Sequence, residues 1–330
     1  MDGLDCPFVI VSSPDMATLA DSVVELLQER GLEIPHYEVE YTAFANGEIE
    51  PYIPHTIRRQ HVFFMHSFSP NEPHADIMKM LMVNDAMMRA NVGGITVVAP
   101  YLPYLRQDRK AKPRVPITAK LFADLLTQNK RVEGLITIDL HTEAEEGFYP
   151  IPVDHLPSRS LFAKHIRNNI LRGNLDNVLV VAPDTGSAKR NRKFAVKLNN
   201  ALMAIFDKDR PGKNKTKIMG KTGASIQGVD AVIYDDIADT AGTACDTADA
   251  LMSEGAKSVT IAATHGLLNG SAIERLSKSG HRVVVSDSIP RNTELAKEHS
   301  WLSVVSTAPL IANAIYQNTL VGGSISRLTE

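Results

Sequence analysis

Short apolar runs rich in β-branched residues alternate along this chain with longer stretches of helical character. The clearest runs are Phe8–Ser13, Val62–Ser67, Ile95–Pro100, Leu135–Leu140, Val178–Pro183, Ala231–Asp235, Val259–Thr264 and Arg282–Ser286. Between them lie Ala75–Ala90, Ile117–Thr127, Ala188–Leu198, Thr243–Ser253 and Ser271–Ser277. In the first of these, Ile77, Met80, Leu81 and Met87 recur at helical spacing. Runs this short, bounded by polar residues, predict strands, and their alternation with helices predicts an α/β protein of mainly parallel sheets flanked by helices.

Most of the runs end on polar chemistry. Val62–Met65 leads into His66-Ser67, Leu135–Ile138 into Asp139-Leu140-His141, and Val178–Val181 into Pro183-Asp184. Val232–Tyr234 leads into Asp235-Asp236, and Ile261–Ala263 into Thr264-His265-Gly266. Open α/β sheets bind ligands beyond the carboxyl ends of their strands, so this repeated placement points to an enzyme. The proline-rich stretch Pro150–Pro157 is the expected domain boundary. It divides the chain into an N-terminal domain, 1–157, and a C-terminal domain, 158–310.

A length of 330 residues allows two domains of ordinary size. With 44% hydrophobic and 22% charged residues and a net charge of −3, the composition is globular and carries no global positive field. Nucleic acid and membrane are therefore not expected partners, and an anionic ligand must be held by local groups. No apolar run approaches the roughly 20 residues of a membrane span. Two cysteines, Cys6 and Cys245, make neither a disulfide framework nor a zinc pattern. The expected setting is the cytoplasm.

The segment Tyr234–Thr243, Tyr-Asp-Asp-Ile-Ala-Asp-Thr-Ala-Gly-Thr, carries the most specific chemistry. It follows an apolar strand and opens a predicted helix, Ala244 to Met252. Amides at a helix N-terminus, flanked by small residues, cradle an anion. Thr240 and Thr243 add hydroxyl donors, and Gly242 leaves room for a phosphate. Asp235 and Asp236, placed at the strand end, suit the two secondary hydroxyls of a ribose. Asp235, Asp236, Asp239, Thr240, Ala241, Gly242 and Thr243 are thus the expected ribose 5-phosphate site. Gly220-Lys221-Thr222 imitates the end of a Walker loop, but Lys215 stands where the required glycine would be.

Over nearly its full length the sequence resembles the ribose-phosphate diphosphokinases, also called phosphoribosyl pyrophosphate synthetases. The matching segments are Phe44–Glu48, Pro100–Lys110, Arg114–Lys120, Asp139–His141, Gly147–Asp154, Pro183–Gly186, Thr264–Gly266 and Gly322–Ser326, together with the phosphate loop. The resemblance implies two similar phosphoribosyltransferase-like α/β domains, with a tail from about residue 311 packing back on the first. It implies transfer of the β,γ-diphosphoryl group of ATP to the C1 hydroxyl of ribose 5-phosphate, with Mg²⁺ as cofactor. It also implies self-association, as a dimer or a hexamer of dimers. On the family pattern Arg106 and Gln107 lie against ATP, and Phe44, Asn46 and Glu48 reach the adenine from an adjacent chain. His141 and Asp184 would hold the Mg²⁺–nucleotide, and Lys208, Arg210 and Asn214 would form the catalytic loop. A point charge at Lys208 and a planar fork at Arg210 suit a moving phosphoryl group.

Several positions depart from the family pattern. Asn46 stands for an aspartate, Ala111 for another, Glu145 and Glu146 for a neutral stretch, Pro150 for an acid, and Ser187 for a glycine. They cluster on the nucleotide and metal side. The alternatives they raise are a different donor, a bulkier acceptor such as ADP-ribose, or a catalytically silent regulatory relative.

Overall fold

The computed structural model describes residues 7–207, 217–220 and 226–326. The chain divides into two compact units: 1–157 with 288–290 and 307–330, and 158–287 with 291–306.

In the first unit the elements are β1 (Phe8–Ser12), α1 (Ala17–Gln28), β2 (His36–Glu38), β3 (Glu40–Ala43), β4 (Ile49–Tyr52), β5 (His61–Met65), α2 (Pro73–Arg89), β6 (Gly94–Val98), α3 (Thr118–Leu126), β7 (Val132–Ile138) and β8 (Val153–Leu156). The main sheet has the order β2-β1-β5-β6-β7-β8 and is parallel throughout. Every residue of β6 is buried, as expected of parallel strands covered on both faces. The short strands β3 and β4 form a separate antiparallel hairpin.

The stretch Pro150–Pro157, the expected domain boundary, contains β8. Its pairing with β7 and the bond from Leu135 N–H to Pro152 O (3.1 Å) make it the edge of the sheet. Proline at a sheet edge removes no ladder bond from a neighbour, which reconciles the composition with the strand.

The second unit contains α4 (Arg159–His165), β9 (Val178–Ala182), α5 (Ala188–Lys197), β10 (Leu202–Asp207), β11 (Lys217–Gly220), β12 (Asp230–Ala238), α6 (Gly242–Ser253), β13 (Ser258–Gly266), α7 (Ala272–Ser279), β14 (Arg282–Ser286), α8 (Arg291–Glu298) and β15 (Leu302–Val305). The sheet order is β11-β10-β9-β12-β13-β14-β15, parallel except for the β10–β11 pair. Alternation along β12 splits the core. Val232 and Tyr234 join Phe162 and Phe194 on one face. Ala231 and Ile233 join Leu251 and Leu276 on the other. The Phe194 ring stacks on Tyr234 at 4.2 Å between centroids, which ties α5 to the strand that carries the aspartate pair.

The last helix, α9 (Ala308–Thr319), returns to the first unit. It packs along α1, and the Arg30 guanidinium lies 5.4 Å over the Tyr316 ring. No helix among the described residues is long and apolar enough to cross a membrane.

Candidate active site

Strand β12 does not stop at Asp235 as its composition suggests. It pairs with β13 as far as Ala238 opposite Gly266. Asp235 and Asp236 therefore lie inside the strand, where the sheet holds their backbones rigid. The Asp236 side chain is buried and that of Asp235 is partly exposed. Arg190, on α5, reaches both: its Nη1 is 2.8 Å from Asp236 Oδ1 and 3.4 Å from Asp235 Oδ1. Burial pushes the Asp235 carboxyl up to about 8, with further upward push from the adjacent Asp236 carboxylate, while Arg190 pulls it back. A shift of this direction favours the protonated form of Asp235, a state that a ligand or cation can change.

The same helix start fastens the Pro183–Gly186 turn. Ser187 N–H donates to Asp184 Oδ1 (2.7 Å) and Ser187 Oγ–H to Asp184 O (3.0 Å). Asn191 Nδ2 donates to Ser187 O (3.0 Å) and to Tyr234 O (2.9 Å). Asp184 thus sits at the mouth of a turn braced against β12, with its carboxylate exposed.

Beyond β12 the chain makes a tight loop. Ala238 O accepts Leu268 N–H (3.1 Å) and Asp239 O accepts Asn269 N–H (3.0 Å). Ala241 has φ +57° and ψ +7°, the left-handed conformation, which costs a non-glycine residue on the order of 1 kcal/mol. Helix α6 opens at Gly242, two residues earlier than its composition suggests. The N–H groups of its first turn have no carbonyl within the helix to bind. Thr240 and Thr243 are exposed beside them. From α7, Arg275 Nη1 donates to Thr240 O (3.2 Å) and lies 2.6 Å from where a Cβ on Gly242 would stand. The result is an amide cradle for an anion, a few residues along the chain from two carboxylates that can accept hydroxyls.

The remaining candidates described lie on three segments of the first unit. Phe44, Asn46 and Glu48 form the tip of the β3–β4 hairpin, closed by Phe44 N–H to Glu48 O (2.8 Å) and Gly47 N–H to Phe44 O (2.9 Å). The Phe44 ring is 47% exposed at this tip, unusual for so large an apolar group. Asn46 Oδ1 accepts Glu48 N–H (3.1 Å), a bond that an aspartate at this position could also make. Arg106 and Gln107 are exposed in the long loop before α3. There Gln107 Oε1 accepts the Thr118 hydroxyl (2.6 Å). His141 follows β7 in the turn Asp139–His141, where Asp139 has φ +39°. Lys208, Arg210 and Asn214 lie outside the described residues.

Comparison with known proteins agrees with this geometry. Residues 8–129 match the family model for the N-terminal domain of ribose phosphate pyrophosphokinase, and 212–329 match that of the phosphoribosyl synthetase-associated domain. The ribose-phosphate pyrophosphokinase of Aquifex aeolicus is 39% identical over 97% of this chain and 98% of its own length. That of Clostridium acetobutylicum is 41% identical over 90% of each chain. The crystal structure of phosphoribosylpyrophosphate synthetase from Mycobacterium smegmatis superposes with a TM-score of 0.83 at 31% identity, covering 94% of this chain and 98% of that one. The chain belongs to the ribose-phosphate pyrophosphokinase family.

As a pyrophosphokinase family member it carries three supporting residues that local sequence patterns do not reveal. Arg190 precedes the aspartate pair by 45 residues and Arg275 follows Thr240 by 35. Asn191 reads as an ordinary polar helix residue. Each becomes visible only when helices dock on β12 and its loop. Among the described residues no three His, Cys, Asp or Glu side chains gather into a metal cage. A single exposed carboxylate at Asp184 nevertheless fits Mg²⁺, which dehydrates reluctantly and is commonly held by one or two carboxylates, substrate phosphates and waters.

Proposed function

We propose that this chain transfers the β,γ-diphosphoryl group of ATP to the C1 hydroxyl of ribose 5-phosphate, giving phosphoribosyl pyrophosphate and AMP. The observation that carries the reading is the continuous unit of an aspartate pair inside β12, a left-handed turn at Ala241 and the amide-rich start of α6. Asp235 and Asp236 accept the ribose 2- and 3-hydroxyls. The amides of the Asp239–Thr243 loop, with the hydroxyls of Thr240 and Thr243, hold the 5-phosphate.

On the nucleotide side, Arg106, Gln107 and His141 contact ATP, and the Phe44 hairpin, with Asn46 and Glu48, covers the adenine of an adjacent subunit. The half-exposed Phe44 ring supports that part, since a hairpin tip of this kind offers a stacking surface. This assigns self-association, as a dimer or a hexamer of dimers, a direct role in the reaction. Lys208, Arg210 and Asn214 supply the catalytic loop. Oxygen of the C1 hydroxyl bonds to the β-phosphorus, its proton passing to solvent, while the bond from that phosphorus to the α,β-bridging oxygen breaks, and AMP departs with that oxygen. Charge spreads over the non-bridging oxygens, so positioning and cationic clamping carry most of the catalysis. Asp184, with His141 toward the nucleotide, would hold Mg²⁺, which would supply charge neutralisation at the phosphate oxygens. The expected setting is the cytoplasm.

The adenine product decides the reaction. With ATP, ribose 5-phosphate and Mg²⁺ the expected product is AMP in equal amount to phosphoribosyl pyrophosphate. ADP would mean transfer of a single phosphoryl group, and no turnover would favour a regulatory role or a different acceptor.

A further inference from the structure

The turn that presents His141 is pinned on both sides of that residue. Asp139, strained at φ +39°, donates its N–H to Leu156 O (3.2 Å). Leu140, buried, donates its N–H to His155 Nε2 (3.0 Å). A backbone N–H can only donate, so Nε2 must be the bare ring nitrogen and the proton resides on Nδ1. Nδ1 in turn lies 2.8 Å from Glu146 Oε1, an acceptor that fixes this tautomer and the plane of the ring. On the other side, the Thr142 N–H reaches Glu145 Oε2 (3.4 Å) within a capping box that starts the short helical turn Glu143–Phe148. The neighbours before and after His141 are therefore held by the pair His155–Glu146 and by Glu145.

We propose that His155, its tautomer set by Glu146, is a positioning residue for His141 and hence for the nucleotide. The inference rests on the reading of His141 as a nucleotide contact. It also gives a purpose to two of the departures from the family pattern: Glu145 and Glu146 brace the turn that presents the nucleotide contact. Preorganised support of this sort governs how well a contact group meets its ligand, because a displacement of about 1 Å can cost on the order of 10²-fold in rate.

The test replaces His155 with Leu, which offers no acceptor to Leu140 N–H, and with Gln, whose Oε1 reaches the place of Nε2 and can accept it. His155→Leu is expected to raise KM for ATP and lower kcat together by about ten-fold or more, with ribose 5-phosphate affinity unchanged by calorimetry. His155→Gln is expected to recover most of that loss. Equal kinetics for the Leu and Gln variants, or equal loss for both substrates, would overturn the inference. If the Leu variant does not fold, Glu146→Ala carries the test: a smaller rise in KM for ATP alone supports the inference, and unaltered kinetics defeats it. His141→Ala separates the two levels. If it is silent, the nucleotide reading of His141 fails and the positioning role falls with it. If it is damaged while His155→Leu is not, only the positioning role is wrong.

Discussion

Arg190 touches both carboxylates of the Asp235–Asp236 pair, and that contact decides how the pair can work. With Asp235 pushed up to about 8, the pair retains a proton at pH 7. A vicinal diol is best met by two acceptors, so binding ribose 5-phosphate at pH 7 is expected to expel that proton. Calorimetry in buffers of different ionisation enthalpy should register the release near pH 7 and none above about pH 9. KM for ribose 5-phosphate should correspondingly fall from pH 6.5 to 8.5. Arg190→Gln removes the cation that favours ionisation and should displace both effects to higher pH. The stability contribution has a definite sign. A carboxyl raised in the folded state binds more protons folded than unfolded, so its contribution declines as pH rises from its ordinary 3.8 toward about 8. The two aspartates were legible in the sequence because they are adjacent to each other and to the loop. Arg190 was not, because its importance comes from the face that α5 turns toward β12.

The junction of β12 with α6 shows the same division among elements. Its strand–loop–helix character was readable, since small residues, threonines and acids follow an apolar run. Its boundaries were not, because β13 extends the pairing past the aspartates and hydrogen bonds to Leu268 and Asn269 N–H groups close the loop early. A side chain at Gly242 meets Arg275, which can swing away only by giving up its bond to Thr240 O. Gly242→Ala is therefore expected to raise KM for ribose 5-phosphate about ten-fold, in line with about 1.5 kcal/mol for one charge-assisted hydrogen bond. Arg275→Ala should give a similar loss, and the double variant little more than either alone. Additive losses in steady-state assays would show that the two act separately. Weakly patterned elements escaped notice for a different reason. Strands β2, β8 and β15 are three or four residues long and only partly buried, too short for alternation to register.

At the scale of the whole chain, α9 belongs to the unit that begins with β1, although about 280 residues separate α9 from α1. Leu310, Ile311, Ala314 and Ile315 are buried, and α1 contributes Leu19, Val23 and Leu27 to its own buried face. Ending the chain at Ser306 should strip cover from α1 and lower the melting temperature of the first unit by 10 °C or more. Such a shift is what the loss of several buried aliphatic side chains, at 1.5–3 kcal/mol each, implies for a domain of this size. Differential scanning calorimetry would read it, and an unshifted melt would show that α9 is dispensable. The α/β class, the strand–loop–helix unit at Tyr234–Thr243 and the family were legible along the chain, because each rests on residues close together in it: periodicity, a loop between strand and helix, ordered short motifs. Packing settles which helices brace the aspartate pair, what holds the His141 turn and where the last helix docks. Those contacts join residues tens to hundreds of positions apart, and no local pattern encodes which distant side chain the packing brings within reach.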